Sequence, residues 1–335
     1  MSLKGFIIRR VLYIVPVMIG ITLMNFTLIN VSPGDPVVVR LGLIMCDNEA
    51  CYNNAYNRAA IEMGLMDESM YTIPWFTRYV DYVSDLLRFD FGRSWYHTQA
   101  GAGVPIAQII AEHAPYTIIL NVISFIISLL LSTAIGVISA TRRNSFWDRS
   151  LTIAMLLGYS MPLFWLAKLL MLISFELFNF TGVTNKDAFI KPLLFNPKFY
   201  KYLILPTLAL TLGGLVFMAR LMRSQLLEIL RQDYVITARA KGVSNRGVIY
   251  KHAFRNGLLP IVTIIGSSLP GLLAGSVMIE SVFGWPGLGT YFLEGALFRD
   301  YPMMLATNTI FPLLFLVARL LTDITYVFID PRIKY

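Results

Sequence analysis

Long runs of apolar side chains recur along the chain, and more polar segments separate them. An α-helix needs about 20 consecutive apolar residues to cross the hydrocarbon core of a bilayer. Six runs approach or exceed this length, and they cover residues 11–31, 116–140, 151–178, 203–221, 258–282 and 303–328. The pattern therefore predicts an all-α membrane protein with six transmembrane helices.

The segment between the first two runs is much more polar than its flanks. We expect an N-terminal tail and first helix over residues 1–31, a small extracytoplasmic subdomain over 32–112, and a five-helix core over 113–335. Cys46 and Cys51 lie in the polar segment, on a side of the membrane where disulfides persist. A short-loop disulfide and two free thiols both fit their spacing. A metal site is not expected, because two cysteines without further ligands nearby make a poor tetrahedron.

The composition also indicates a membrane environment. Hydrophobic residues make up 56% of the 335 residues, charged residues only 14%, and the mean hydropathy is +0.63. Soluble domains carry roughly a quarter charged residues, which excludes an ordinary cytosolic enzyme. Disordered chains are poor in apolar residues, which excludes disorder. The net charge of +8 leaves a nucleic-acid partner open until the positions of the basic residues are considered.

Six membrane helices would place the connecting loops alternately on the two sides of the membrane, and the basic residues are distributed unevenly between these sides. Sixteen Lys and Arg lie on the side of the N-terminus and five on the other side, apart from five in the long polar segment. Short cytoplasmic loops carry the excess of Lys and Arg, whereas long segments translocate regardless of charge. We therefore expect a multi-pass inner-membrane protein with both termini in the cytoplasm. The basic excess is an orientation signal, and nucleic acid is not expected as a partner.

Sequence motifs that support catalysis are absent. The chain contains no G-x-x-x-x-G-K-[ST] phosphate-binding loop, no H-E-x-x-H and no nucleophile elbow. The three histidines, His97, His113 and His252, occur singly outside the apolar runs. We therefore predict that this chain has no catalytic residue, no metal site and no ATPase site of its own.

Polar residues inside the fifth apolar run are candidates for lining a translocation path. Ionisable side chains within a membrane are functional candidates by default, and Glu280 lies at the end of this run. Thr263, Ser267 and Ser268 precede it, and Pro270 is expected to kink the helix. A second interpretation stays open, because small and hydroxyl side chains also permit close packing between membrane helices.

The cytoplasmic segment 223–257, called the elbow below, lies between the fourth and fifth runs and is rich in Arg and Lys. Apolar residues recur at helical spacing in its first part. Gly242 suits the left-handed position that ends a helix, and Ser244 or Asn245 can cap the next helix. The pattern predicts a helix-turn-helix, which is either a solvated connector or a docking element for another protein.

Six short motifs follow one another along the chain. They are Pro33-Gly34-Asp35-Pro36, Asp90-Phe91-Gly92-Arg93-Ser94, Ser160-Met161-Pro162, Leu205-Pro206-Thr207, Phe283-Gly284-Trp285-Pro286-Gly287-Leu288-Gly289 and Arg299-Asp300-Tyr301-Pro302. In this order they resemble the membrane-spanning permease subunits of oligopeptide/dipeptide-type ABC importers, and the similarity runs nearly end to end. The resemblance implies the helical fold of a type I ABC importer permease.

In that family a cytoplasmic loop of general pattern E-A-A-x3-G-x9-I-x-L-P inserts into the ATPase subunits. The elbow is similar to this loop, with Ile236-Thr237-Ala238 at the first triplet and Gly242 in its place. The leading Glu is missing, and His252-Ala253-Phe254-Arg255 replaces the closing I-x-L-P. The resemblance implies an ATPase-coupling role for Asp233, Tyr234, Thr237, Ala238, Arg239, Lys241, Gly242 and Ser244.

The resemblance also implies a set of partners. They are a second permease that shares one translocation path, two cytoplasmic ATPase subunits, an extracytoplasmic solute-binding protein and membrane lipid. ATP and Mg would bind the ATPase subunits, and this chain would hold no cofactor. Di- or oligopeptides are the expected substrate, with oligosaccharides, nickel or glutathione as alternatives. A stand-alone secondary transporter or channel is the alternative from another class.

Overall fold

The structure, a computed structural model, describes residues 3–41, 48–99, 102–184, 197–258 and 275–329, with isolated positions between 258 and 275. Its elements are α1 (Leu3–Val31), α2 (Pro36–Leu41), α3 (Glu49–Glu62), α4 (Trp75–Leu87), β1 (Arg93–Gln99), β2 (Ala102–Pro105), α5 (Ile106–Thr141), α6 (Phe146–Ser160), α7 (Leu163–Phe178), α8 (Pro197–Ile229), α9 (Asp233–Ala240), α10 (Asn245–Gly247), a π-helical turn (Val248–Ala253), α11 (Phe254–Gly257), α12 (Val277–Phe283), α13 (Leu288–Leu297) and α14 (Tyr301–Ile329). The chain forms two units, residues 1–115 with 286–335, and residues 116–285.

Four helices in the described part of the chain are long and apolar enough to cross a membrane. The spanning segments are Ile8–Val31, Ile106–Thr141, Phe199–Ile229 and Tyr301–Ile324. They coincide, with different ends, with the first, second, fourth and sixth predicted spans. Helix α5 begins ten residues before the second apolar run, so part of the segment that we assigned to the polar subdomain belongs to a long helix.

The third apolar run is not one uninterrupted helix. Helices α6 and α7 meet at an angle of 108° and together form a broken span or a re-entrant loop. Met161 has an extended backbone (ψ 133°), because the ring of Pro162 excludes the helical conformation for the preceding residue. The third span over residues 151–178 therefore stays a prediction.

The fifth apolar run lies largely outside the described residues. The structure describes its last part as α12, which begins with Ser276 capping the N–H of Ile279 (3.5 Å). The fifth span and the kink at Pro270 therefore stay predictions. The chain is mostly helical rather than all-α, because β1 and β2 form an antiparallel hairpin.

The polar segment after α1 packs α2 against α3 through a small apolar cluster that includes Val37, Ala60 and Met63. Asp35 starts α2, and its carboxylate accepts hydrogen bonds from the Val37 N–H (2.8 Å) and the Tyr56 hydroxyl (2.6 Å). This carboxylate raises the pKa of Tyr56 to about 12, because it stabilises the protonated phenol. Cys51 is exposed on α3, whereas Cys46 lies outside the described residues, so their pairing stays a prediction.

Three of the sequence motifs converge in the first unit around Asp300. The buried carboxylate accepts hydrogen bonds from the Ser94 hydroxyl, the Tyr96 N–H (3.1 Å) and the Met303 N–H (3.3 Å). The neighbouring Arg299 lies against Gly34, where an added Cβ would overlap the guanidinium. The carboxylate thus joins segments about 200 residues apart, and the close backbone approach joins segments about 265 residues apart.

The second unit has its largest apolar cluster around Trp285, which is fully buried. The indole ring packs against Phe199 of α8 and Tyr116 of α5, with centroids 5.3 and 6.3 Å away. Its N–H donates to the Tyr116 carbonyl (3.1 Å), so this buried donor is satisfied. The cluster joins α5, α7, α8 and α12.

We predict that Asp300→Asn lowers the free energy of unfolding by about 2 kcal/mol, since hydrogen bonds to a charged acceptor are lost and an amide N–H₂ meets N–H and O–H donors. Thermal or denaturant unfolding of the purified protein in detergent measures this change. The exposed Asp85 supplies the control, and Asp85→Asn should change stability by less than about 0.5 kcal/mol. Equal effects of the two substitutions would contradict the role given to Asp300.

Candidate functional site

The elbow begins with the last two turns of α8. Met222 and Leu226 of α8 are fully buried in a cluster that also contains Val137 and Ala140 at the end of α5 and Ala253 of the π-helical turn. Five apolar side chains from three parts of the second unit therefore hold the end of α8. The elbow consequently starts from an anchored helix rather than from a free loop.

Helix α9 follows a short turn and is packed by one face. Its buried residues, Val235 and Ala238, contact Val248 of the π-helical turn and Ile229 and Leu230 at the end of α8. We call this contact the elbow seam. An isolated helix of eight residues is unstable in water, so the seam sets both the existence and the orientation of α9.

The turn after α9 has the geometry that the sequence predicted. Gly242 has a φ of +79°, in the left-handed region, and its N–H donates to the Arg239 carbonyl (3.0 Å). The Ser244 hydroxyl accepts from the Gly247 N–H (3.3 Å) and caps the next helix. The predicted helix end and cap are therefore both confirmed. The sequence did not predict the π-helical turn, for which it carries no recognised pattern.

Seven of the eight predicted coupling residues are exposed, and Ala238 alone is buried in the seam. The exposed residues are Asp233, Tyr234, Thr237, Arg239, Lys241, Gly242 and Ser244. The Tyr234 hydroxyl accepts a hydrogen bond from the Asn256 amide (2.8 Å), which ties the start of α9 to α11. The surface therefore carries two basic side chains, one acidic side chain and hydroxyl groups on a packed support, as a protein-docking surface requires.

An ion pair at the first residue of the elbow was missed by sequence reasoning. Arg223 of α8 donates two hydrogen bonds to the buried carboxylate of Asp148 in α6, from Nε (3.0 Å) and Nη2 (2.9 Å). The Asn144 N–H also donates to this carboxylate (3.0 Å), and Ser145 caps the Asp148 N–H (3.3 Å). The Ser-x-x-Asp spacing is a helix-start signature and could have located Asp148, but not its partner 75 residues away.

A cavity of about 470 Å³ lies next to this ion pair. Arg143, Arg223 and Arg231 line it together with Glu228 and Asp233. Because Arg223 is neutralised by Asp148, the remaining two cations face two carboxylates. The cavity is therefore of mixed charge, and it adjoins the first residue of α9.

The predicted path residues are only partly within the described chain. Thr263 and Ser267 lie outside it, and Ser268 is half-buried. Glu280 is fully buried in the first turn of α12. Gly275 has a φ of +78°, and a Cβ there would lie 2.7 Å from the Glu280 carboxylate, so this glycine provides the room for that side chain.

The described residues contain no group of three or more His, Cys, Asp and Glu side chains that could hold a metal ion. The elbow likewise offers exposed side chains rather than an enclosed constellation of acid, base and nucleophile. Its arrangement is suited to binding a protein.

Residues 132–335 match the family described as binding-protein-dependent transport system inner membrane component. The chain is 35% identical over 337 residues to the oligopeptide transport system permease protein AppB of Bacillus subtilis (strain 168), covering 99% of this chain and 100% of that protein. It is 32% identical over 348 residues to the dipeptide transport system permease protein DppB of Alkalihalophilus pseudofirmus, covering 99% of each chain.

A putative peptide transport system permease protein of Brucella abortus (strain 2308) is 35% identical over 334 residues, covering 99% of this chain and all of that protein. The relatives cover nearly the full length, the family model covers residues 132–335, and both describe transport permeases. The apolar helices of the structure agree with them. The chain therefore belongs to the family of inner membrane components of binding-protein-dependent transport systems, and it is a multi-pass transport permease.

Proposed function

We propose that this chain is one of two non-identical permease subunits of an ATP-driven importer, and that its elbow docks on a cytoplasmic ATPase subunit. The observation that carries the proposal is the elbow itself. Seven residues of the coupling segment are displayed on one packed support, although the segment lacks the leading Glu of the family loop. The partners are a second permease, two ATPase subunits with ATP and Mg, and an extracytoplasmic solute-binding protein.

The elbow seam gives docking a mechanical consequence. Closure of the ATPase subunits would push on α9, and the seam would pass this displacement to α8 and the π-helical turn. The ion pair of Arg223 with Asp148 would pass it from α8 to α6. Movement of these helices would reorient the path between the two sides of the membrane, while ATP hydrolysis stays on the partner subunits.

Departures from the family loop restrict which contacts the ATPase can make. Ile236 stands at the position of the leading Glu and is exposed, so an apolar contact replaces any ion pair there. Tyr234 and Thr237 lie one turn apart and share the exposed face of α9. We assign them, with Arg239, as the main contacts.

Peptides are the proposed substrate, because the similar proteins from Bacillus, Alkalihalophilus and Brucella are named as oligopeptide, dipeptide and peptide transport permeases. Oligosaccharides or another small solute would pass through the same class of importer. The path is assigned to Thr263, Ser267, Ser268 and Glu280. Both termini are placed in the cytoplasm on the distribution of Lys and Arg.

We predict that affinity purification of this chain from its native membrane brings down a second permease and two ATPase subunits. The complex in proteoliposomes should take up a di- or oligopeptide only with ATP and the loaded binding protein. Uptake by the purified chain alone, driven by an ion gradient, would contradict the proposal and identify a secondary transporter. ATP-dependent uptake of an oligosaccharide but of no peptide would support the importer role and contradict the assignment of peptides as the substrate.

Gly242 allows a matched test of the elbow. Pro sets φ near −65° and removes the N–H that bonds Arg239, at a cost of about 3 kcal/mol, or roughly a hundredfold depopulation of the native turn. Gly242→Pro should therefore abolish the stimulation of ATP hydrolysis by loaded binding protein. Gly242→Asn should retain most of it, because Asn tolerates the left-handed region and no atom lies within 4 Å of the new Cβ.

The two variants are compared after confirming by purification that each assembles with the ATPase subunits. Unchanged stimulation in Gly242→Pro would remove the coupling role from this turn. Equal loss in both variants would show that the glycine is needed for a reason other than its backbone conformation.

A further inference from the structure

Helix α4 carries an apolar stripe that the rest of the described chain leaves uncovered. Phe76, Val80 and Leu87 are 61%, 49% and 79% exposed. With the half-buried Val83 they recur at the i, i+4, i+7 and i+11 spacing that places side chains on one face of a helix. At 100° per residue, Thr77 lies on a different, polar face of the same helix.

The neighbouring face of α4 is attached to the membrane helix α1. Phe26 packs its ring against Tyr79 and Tyr82, with centroids 5.4 and 5.9 Å apart. The Tyr79 hydroxyl lies 3.2 Å from the Thr22 hydroxyl. Phe26 precedes the end of α1 by five residues, so the contact lies about 7 Å inside that end.

The same face is attached to the membrane helix α14 at a matching depth. The Tyr82 hydroxyl lies 2.6 Å from the Thr309 hydroxyl and donates to the Leu305 carbonyl (3.3 Å). Leu305 follows the start of α14 by four residues, or about 6 Å. The contacts with α1 and with α14 therefore both place α4 nearer to the middle of the membrane than the ends of these two helices.

This depth determines what covers the stripe. The 24-residue span of α1 is about 36 Å long, whereas the hydrocarbon core is about 30 Å thick. About 3 Å at each end therefore lies outside the core, so α4 sits a few ångströms inside its boundary. Amphipathic helices that lie in an interface bury their apolar face to about 5–10 Å.

We propose that α4 is an interfacial helix whose Phe76, Val80 and Leu87 stripe lies in the lipid of the leaflet where α1 ends. Trp75 and Tyr71, at the start of α4 and just before it, are 49% and 74% exposed, as expected for aromatic side chains at headgroup level. Part of the predicted extracytoplasmic segment is thereby a membrane anchor. The inference needs only that α1 and α14 cross the membrane, and naming the leaflet as outer rests on the proposed orientation.

Collision accessibility of spin labels tests this placement in the assembled transporter in lipid nanodiscs. Cys46→Ser and Cys51→Ser remove both native thiols. Labels are then introduced singly by Val80→Cys and Leu87→Cys on the stripe and by Thr77→Cys on the polar face. Oxygen partitions into lipid and a nickel chelate into water. The ratio of oxygen to nickel collision rates should be severalfold higher at 80 and 87 than at 77.

Each other outcome overturns the proposal. High nickel accessibility at 80 and 87 would show that the stripe meets water. Low accessibility to both reagents would show that a protein covers the stripe. If accessibility falls only when the binding protein is added, the binding protein covers the stripe; otherwise the second permease covers it. Because labels on one helix are compared in one complex, the result is separate from whether the transporter carries peptides.

Discussion

The contact of Val235 and Ala238 with Val248 and the end of α8 is the interaction on which the structure of the elbow and its proposed coupling role depend. Without it, the eight residues of α9 would not hold a helix, and the exposed side chains of the elbow would have no common orientation. With it, α9, the π-helical turn and α8 form one packed body. A partner that displaces α9 must then displace α8, which is the property that an ATP-driven importer needs.

The ion pair between Asp148 and Arg223 extends this packed body to the broken helix pair α6 and α7. A buried carboxylate is costly unless it is paired, and Arg223 supplies the pairing charge for the buried Asp148. The bidentate pair of hydrogen bonds also fixes the orientation of the guanidinium relative to the carboxylate, whereas a single apolar contact would not. The elbow is therefore anchored on one side by apolar packing and on the other by a directed ionic contact.

The sequence predicted features that depend on neighbouring residues, and it did not predict those that join distant ones. Four spans follow from apolar length alone, and Gly242 and Ser244 were placed correctly because helix ends depend on local backbone geometry. The helix break before Pro162 could have been predicted, because a proline disfavours the helical conformation of the residue before it. It was missed because the apolar run continues through this position. The pairing of Asp148 with Arg223, and the convergence of separate motifs on Asp300, required the fold.

Cross-linking from α9 in the assembled complex measures docking most directly. A photoactivatable group attached through Thr237→Cys should form a cross-link to an ATPase subunit, because this side chain is exposed on the proposed docking face. The same group attached through Trp147→Cys, exposed at the start of α6, should react with lipid instead. A complex that contains both ATPase subunits and gives no cross-link from residue 237 would contradict the account.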